Sequence, residues 1–193
     1  MKKLLSFFSI IGIATGLAGC ISTQAQKPLE PIQYFTQPTT SQNVATIVGN
    51  QEKSQSIMAD KIAYVFAIDQ QKINHGREQL QSPLALTAGE HNLQIWCQRG
   101  GYKYTNLVKV NLEAGRNYQV GFEMNVNHQT NCYFWIYDLE KKQAIGELVE
   151  GIEVGEYADP NKLRPILHKL EPRPTTRQNL YVPIRVINKM GHN

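Results

Sequence analysis

Residues able to do chemistry are few in this sequence, and they are scattered. Five histidines occur, His75, His91, His128, His168 and His192, and no two fall at the helical or strand spacing that would converge on an ion. No metal and no cofactor are expected. His75, His91 and His128 fall in or beside turn sequences, where a solvated imidazole is the ordinary state. No serine stands in a nucleophile elbow, which removes the usual acyl-transfer template. Acid–base work would fall to carboxylates such as Asp69, Glu123 or Asp138, two of which would have to stand roughly 5 to 10 Å apart in one cleft. Asp69 follows an apolar run and precedes Gln-Gln-Lys, so its ordinary role is that of a turn residue whose carboxylate accepts backbone N–H groups. No catalytic residue is assigned, and the chain is read as a non-enzymatic protein.

Aromatic side chains are better organised. Tyr133, Trp135 and Tyr137 alternate with Cys132, Phe134 and Ile136. In a strand the two sets point to opposite faces, so if the second set is core, three aromatics line the other side. Such a row supplies large contact area with polar handles and is a candidate partner-binding surface. The alternative is that another segment of the chain covers it.

The elements that position these residues begin after an N-terminal address. Met1-Lys2-Lys3 is followed by Leu4 to Leu17 without a charge, the layout of a secretory signal peptide, and Leu17-Ala18-Gly19-Cys20 follows. This resembles the lipobox of bacterial lipoproteins. The resemblance implies cleavage before Cys20, a diacylglycerol on its sulfur and acylation of the freed amine. Each buried methylene contributes about 0.8 kcal/mol, and two or three chains make a durable membrane anchor. In such lipoproteins an Asp after the lipidated Cys commonly retains the chain in the inner membrane, and Ile21 stands there, so the outer membrane, facing the periplasm, is the expected location. Processing leaves 18 basic against 16 acidic residues, close to neutral, and nucleic acid is not an expected partner.

With Cys20 lipidated, Cys97 and Cys132 remain as an even pair in an oxidising compartment. Cys97 shares a strand face with Leu93 and Ile95, and Cys132 shares one with Phe134 and Ile136, so both should point into one core and form a disulfide, with two buried thiols as the alternative.

Along the mature chain, 20–42 is rich in Gln, Thr, Ser and Pro and reads as a flexible tether, the alternative being a short strand around Ile32 to Phe35. From 43 to 138 the period is two. Tyr118, Val120, Phe122, Met124 and Val126 oppose Gln119, Gly121, Glu123 and Asn125; Leu93, Ile95 and Cys97 oppose Asn92, Gln94, Trp96 and Gln98, which read as a wet side. Val108, Val110 and Leu112 oppose Leu107, Lys109 and Asn111, Val44 to Val48 makes a further strand, and Ile62 to Ile68 is apolar on both faces. Even, short spacing with intervening turn signals predicts a mainly β fold, an antiparallel β-sandwich of about seven strands.

The stretch Ala67-Ile68-Asp69, Ser82-Pro83-Leu84-Ala85-Leu86, Ala88-Gly89-Glu90-His91 through Ile95, ending at Gly101-Tyr102, resembles PEGA-type β-sandwich repeats. In that family a glycine would stand where this chain has Gln70. The resemblance implies a presentation or binding module and carries no catalytic residues.

The remaining 139–193 reads as a charged extension. Glu140 to Asp159 holds six acidic and two basic residues, and Pro160 to Asn193 holds seven basic residues against Glu171. Leu163, Ile166, Leu167 and Leu170 recur at helical spacing behind Asp159-Pro160, which predicts a short amphipathic helix that Pro165 would kink or delay, and Leu180 to Ile187 a short edge strand. Together these features predict an outer-membrane-anchored periplasmic module that binds or scaffolds another envelope component, protein or peptidoglycan. An envelope enzyme acting on glycan or peptide, and a structural subunit of an envelope complex, are the alternatives.

Overall fold

A computed structural model describes residues 30–39, 42–54, 59–124 and 131–172. Cys20, the lipobox, His128, His192 and the edge strand expected at 180–187 lie outside them. The chain divides after Pro31 into two units, and every strand belongs to the second, Ile32–Asn193.

The fold is mainly β, in two sheets. In chain order the strands are β1 (Val44–Val48), β2 (Asn50–Glu52), β3 (Lys61–Ile68), β4 (Gln71–Lys72), β5 (Leu84–Thr87), β6 (Gly89–Arg99), β7 (Tyr102–Leu112), β8 (Asn117–Met124), β9 (Cys132–Asp138), β10 (Gln143–Glu150) and β11 (Ile152–Glu153). One sheet runs β10-β9-β8-β1-β5 and the other β11-β7-β6-β3-β2, with β4 paired to β3. Neighbouring strands are antiparallel except β1 and β8, which run parallel from Thr46↔Asn117 to Val48↔Gln119.

The period of two explains the shared core. Tyr118, Val120, Phe122 and Met124 of β8, with Phe134 and Ile136 of β9, join Leu93 and Ile95 of β6 and Val108, Val110 and Leu112 of β7 in one buried apolar cluster. Cys97 of β6 and Cys132 of β9, both fully buried, form a disulfide across this layer. The bridge therefore joins the two sheets. β3 is buried on both faces, as its unbroken apolar run implies, because Ala63 and Val65 enter the shared cluster while Ile62, Tyr64 and Phe66 enter a second one.

Three expectations are corrected. The β region does not stop at Asp138: β10 extends the five-stranded sheet beside β9, and β11 pairs with β7 in the other. Alternation in β10 is hidden by a bulge between Ile145 and Val149, where Gly146 takes φ +72°. The C-terminal helix is absent among the described residues. Asp159 does cap a turn, accepting Asn161 N–H at 2.9 Å, and its carbonyl accepts from Lys162 and Leu163, but the turn does not propagate. Pro165 has no N–H to continue it, and Ile166 N–H donates to the Gln94 side chain instead. Finally, the end of the expected tether is tied down: Gln33 and Phe35 bond the backbone of Lys72, Tyr34 makes a parallel bridge to it, and Gln37 Oε1 accepts Ala85 N–H on β5. Of the alternative strand at 32–35 the structure shows a single isolated bridge at Tyr34.

Candidate functional site

The aromatic row lies on the outer face of the five-stranded sheet. Phe134 and Ile136 fill the core, so Tyr133, Trp135 and Tyr137 project away from it, and all three are half-buried. Opposite them on β8 stand Glu123, Gly121 and Gln119, in the register Tyr133↔Glu123, Trp135↔Gly121 and Tyr137↔Gln119. On the other side β10 places Glu150 opposite Tyr133 and Ala144 opposite Tyr137. Gly121 has a physical reason to be glycine: a side chain there would run into the Trp135 ring at Nε1 and Cε2. The indole thus rests on bare backbone, with a carboxylate and an amide at the two ends of the row. Both apolar clusters of described residues lie elsewhere, one between the sheets and one outside the six-stranded sheet.

That other outer face is closed. Ile62, Tyr64 and Phe66 of β3 and Trp96 of β6 form an apolar floor with Ala67 and Leu80, and Val154, Ala158 and Leu163 pack on it from a strap, 154–170, that follows β11. Phe66 and Trp96 rings stand 5.8 Å apart. Four side chains hold the strap by its backbone. Lys103 Nζ donates to the carbonyls of Glu156 and Ala158 at 2.5 and 2.8 Å, and Lys72 Nζ to those of Asn161 and Leu163 at 2.8 and 2.9 Å. Gln94 Oε1 accepts Ile166 N–H at 3.0 Å, and Asn106 both accepts from and donates to Leu170 at 2.8 Å. Burial holds the Lys72 amine below the ordinary lysine pKa, against the opposing pull of Asp159. Burial likewise pushes the Tyr64 phenol well above its ordinary value. The expected wet side of β6 is therefore dry at Gln94, Trp96 and Gln98, while Asn92 stays exposed. Alternation located Gln94, Trp96 and Gln98 on one face but could not show that a distant segment returns to cover it.

The carboxylates do not assemble an acid–base pair. Glu123 and Asp138 belong to opposite ends of the β8–β9 ladder, since Tyr118 pairs with Asp138 and Glu123 with Tyr133, a rise of about 17 Å along the strand. Asp69 sits in the other sheet, at the β3–β4 turn, where both it and Gln70 take positive φ, +47° and +69°. Its carboxylate is engaged on both oxygens, with Asn92 N–H at 2.8 Å and His91 Nδ1 at 2.7 Å, while His91 Nε2 reaches the Thr87 carbonyl at 2.8 Å. His91 is thus a tie between a turn and a strand corner, not a freely solvated ring. Asp69 lines a cleft of about 440 Å³ with Glu147, His168 and Lys169, but Glu147 is paired to Lys169 at 2.7 Å. Asp138 is buried and caps the turn after β9, accepting N–H from Glu140 and Lys141. Among the described residues no three His, Cys, Asp or Glu side chains gather as metal ligands.

No protein-family model, no curated protein and no solved structure matches this chain. Any functional reading rests on the two faces themselves.

Proposed function

We propose that this chain is a lipid-anchored, non-enzymatic binding module of the bacterial envelope. Cys20 carries the acyl anchor, the outer membrane is its home, and the two sheets form a PEGA-like β-sandwich. The module offers its Tyr133, Trp135 and Tyr137 row to another envelope component, a protein or peptidoglycan. The observation that carries this reading is the pairing of Trp135 with Gly121, which seats a large ring on bare backbone within a row of aromatics outside both apolar clusters. An aromatic row flanked by carboxylate and amide side chains suits recognition, because its rings bury large area while hydroxyl and indole groups keep hydrogen bonds available. The disulfide between buried cysteines fits an exported, oxidising location.

The test uses the full chain in mild detergent. Trp135→Ala with Tyr137→Ala should leave a folded, disulfide-bonded protein whose co-purified envelope component falls at least fivefold. Loss of folding would place the row in the core, and unchanged recovery would remove it from recognition. Cys20→Ser, followed by membrane fractionation, tests the anchor separately: a variant that stays with the membrane as the parent does would refute acylation as the address.

A further inference from the structure

The strap over the six-stranded sheet is held in an unusual way. Backbone pairing to the sheet ends at Val154 N–H, which donates to the Lys103 carbonyl, and from Glu156 to Leu170 most grips on the sheet are side chains acting on strap backbone, with Lys169–Glu147 a side-chain pair. Pro160 and Pro165 lack the N–H groups that a regular added strand would need. Grips of this kind do not read side chains, so they accept any extended chain of suitable course. The apolar floor reads Val154, Ala158 and Leu163, and Glu147 of β10 pairs with the Lys169 side chain at 2.7 Å. Outward-facing strap residues contribute little, with Tyr157 93% and Leu167 63% exposed.

Part of the floor's polar network is internal to the sheet, although Gln94 and Asn106 would exchange their strap partners for water. Trp96 Nε1 donates to Gln98 Oε1 at 2.8 Å, Gln94 Nε2 to Thr105 Oγ1 at 3.0 Å, and the Thr105 hydroxyl to the Ile95 carbonyl at 2.8 Å. Departure of the strap strands none of these buried groups, and it returns the Lys72 amine to water, relieving the desolvation that burial imposes. At the start of the strap Gly155 has φ +88°, and no heavy atom lies within 4 Å of where its side chain would begin, so the backbone there is not packed in place by neighbours.

We infer that the outer face of the six-stranded sheet is a peptide-binding groove, closed here by the chain's own residues 154–170. Its ligand in trans is an extended, proline-interrupted peptide of a partner protein with small or medium apolar side chains at the spacing of Val154, Ala158 and Leu163. This surface is independent of the aromatic row on the opposite side.

The experiment opens the groove through strap residues alone. Val154→Asp with Leu163→Asp, in the full-length chain in detergent, removes the apolar hold but leaves Lys72, Gln94, Lys103 and Asn106 in place. A fluorescein-labelled peptide copying residues 152–172 should bind this opened chain at least tenfold more tightly than the parent, and adding Lys103→Met should weaken that binding severalfold. The inference is overturned if a folded, disulfide-bonded opened chain binds no better than the parent, or if Lys103→Met changes nothing. It is overturned too if the opened chain pairs with itself and excludes the probe, since the groove would then belong to a second copy. Should the opened chain not fold, amide exchange in the parent decides. Ile166 and Leu170 amides should exchange at least a hundredfold faster than those of Ile95 and Val108, whereas equal rates would make the strap an inseparable part of the fold.

Discussion

On the six-stranded sheet, the outward side chains Tyr64, Phe66 and Trp96 are buried under a strap, whereas on the five-stranded sheet Tyr133, Trp135 and Tyr137 are only half-buried. Both rows are aromatic and both alternate with a core-facing row of the same strand. Their difference lies in what the rest of the chain does. After β11 the chain turns over β3, β6 and β7, and Lys72, Gln94, Lys103 and Asn106 hold it there. On the opposite side, β8 contributes Gly121, so a ring from the neighbouring strand lies down on the sheet itself. One sheet is thus completed by distant chain, the other by a local accommodation of a single indole. Local pattern alone cannot separate these outcomes, because it fixes which residues share a face and leaves open what meets that face.

The comparison is broken most directly at the two tryptophans. Trp96→Ala removes a fully buried ring and should cost about 3–5 kcal/mol, read as a fall in the urea midpoint. Trp135→Ala should cost about 1 kcal/mol or less, since the ring is partly solvated and its loss leaves no enclosed void. Equal losses would mean that both rows are core, and the distinction between the faces would disappear. A smaller effect belongs to the strap's end. Asn106→Ala removes the side chain that satisfies both backbone groups of Leu170 and the Glu150 carbonyl, and should cost about 2–3 kcal/mol. The same change should speed proteolysis within 154–170 more than elsewhere, whereas uniform protection would show that the strap does not depend on this grip.

How much of this was legible follows from the range of each signal. Strand faces of β6, β7, β8 and β9 were readable because alternation is a nearest-neighbour property, and the Cys97–Cys132 bridge followed from two such faces pointing inward. β10 was hidden because its bulge at Ile145–Val149 breaks the period, and the helix was misread because Leu163, Ile166, Leu167 and Leu170 carry the right spacing while Pro165 and the Gln94 acceptor redirect the backbone. The strap grips were invisible for another reason. Lys72, Gln94 and Asn106 look like ordinary polar strand residues, and their roles are set by partners 64 to 91 positions away. The aromatic row is legible in the sequence as a row, whereas its half-buried state depends on what meets that face, which alternation does not encode.

The turn at Asp69–Gln70 sharpens the contrast in a milder way. Both residues sit in the left-handed region, and the Asp69 carboxylate is compensated by His91 and Asn92, whereas Gln70 carries the backbone cost of a Cβ with no such compensating side-chain bond among the described residues. Gln70→Gly should stabilise the protein by about 1 kcal/mol, seen as a raised urea midpoint. The turn lines the cleft beside Ile166 and His168, so the gain belongs to the strapped sheet, and an unchanged or lower midpoint would mean that the Gln70 side chain contributes contacts outweighing its strain.

pH should separate the two sheets by the smallest margin and in different windows, acidic for one and alkaline for the other, with the same sign. At the five-stranded sheet's corner, hydrogen bonds from the Asn117 backbone and side chain hold Glu140 below the ordinary glutamate pKa, and the Lys141 ammonium does the same for Glu113. A carboxylate with a lowered folded pKa contributes stability above its ordinary value of 4.5, and that contribution is lost as pH falls through the lower folded value. Glu140→Gln should therefore narrow its gap to the parent as the urea midpoint is followed downward from pH 6. Lys72 has the same sign in a higher window. Burial lowers its pKa from 10.5, so between the lowered value and 10.5 the unfolded chain binds more protons and stability rises with pH. The neutral amine still has two N–H groups for the carbonyls of Asn161 and Leu163, so the strap keeps both bonds. Relative to Lys72→Met, the parent should gain in midpoint as pH climbs toward 10.5, and a relative loss over that range would show that the strap depends on the charge of Lys72 more than on its two N–H donors.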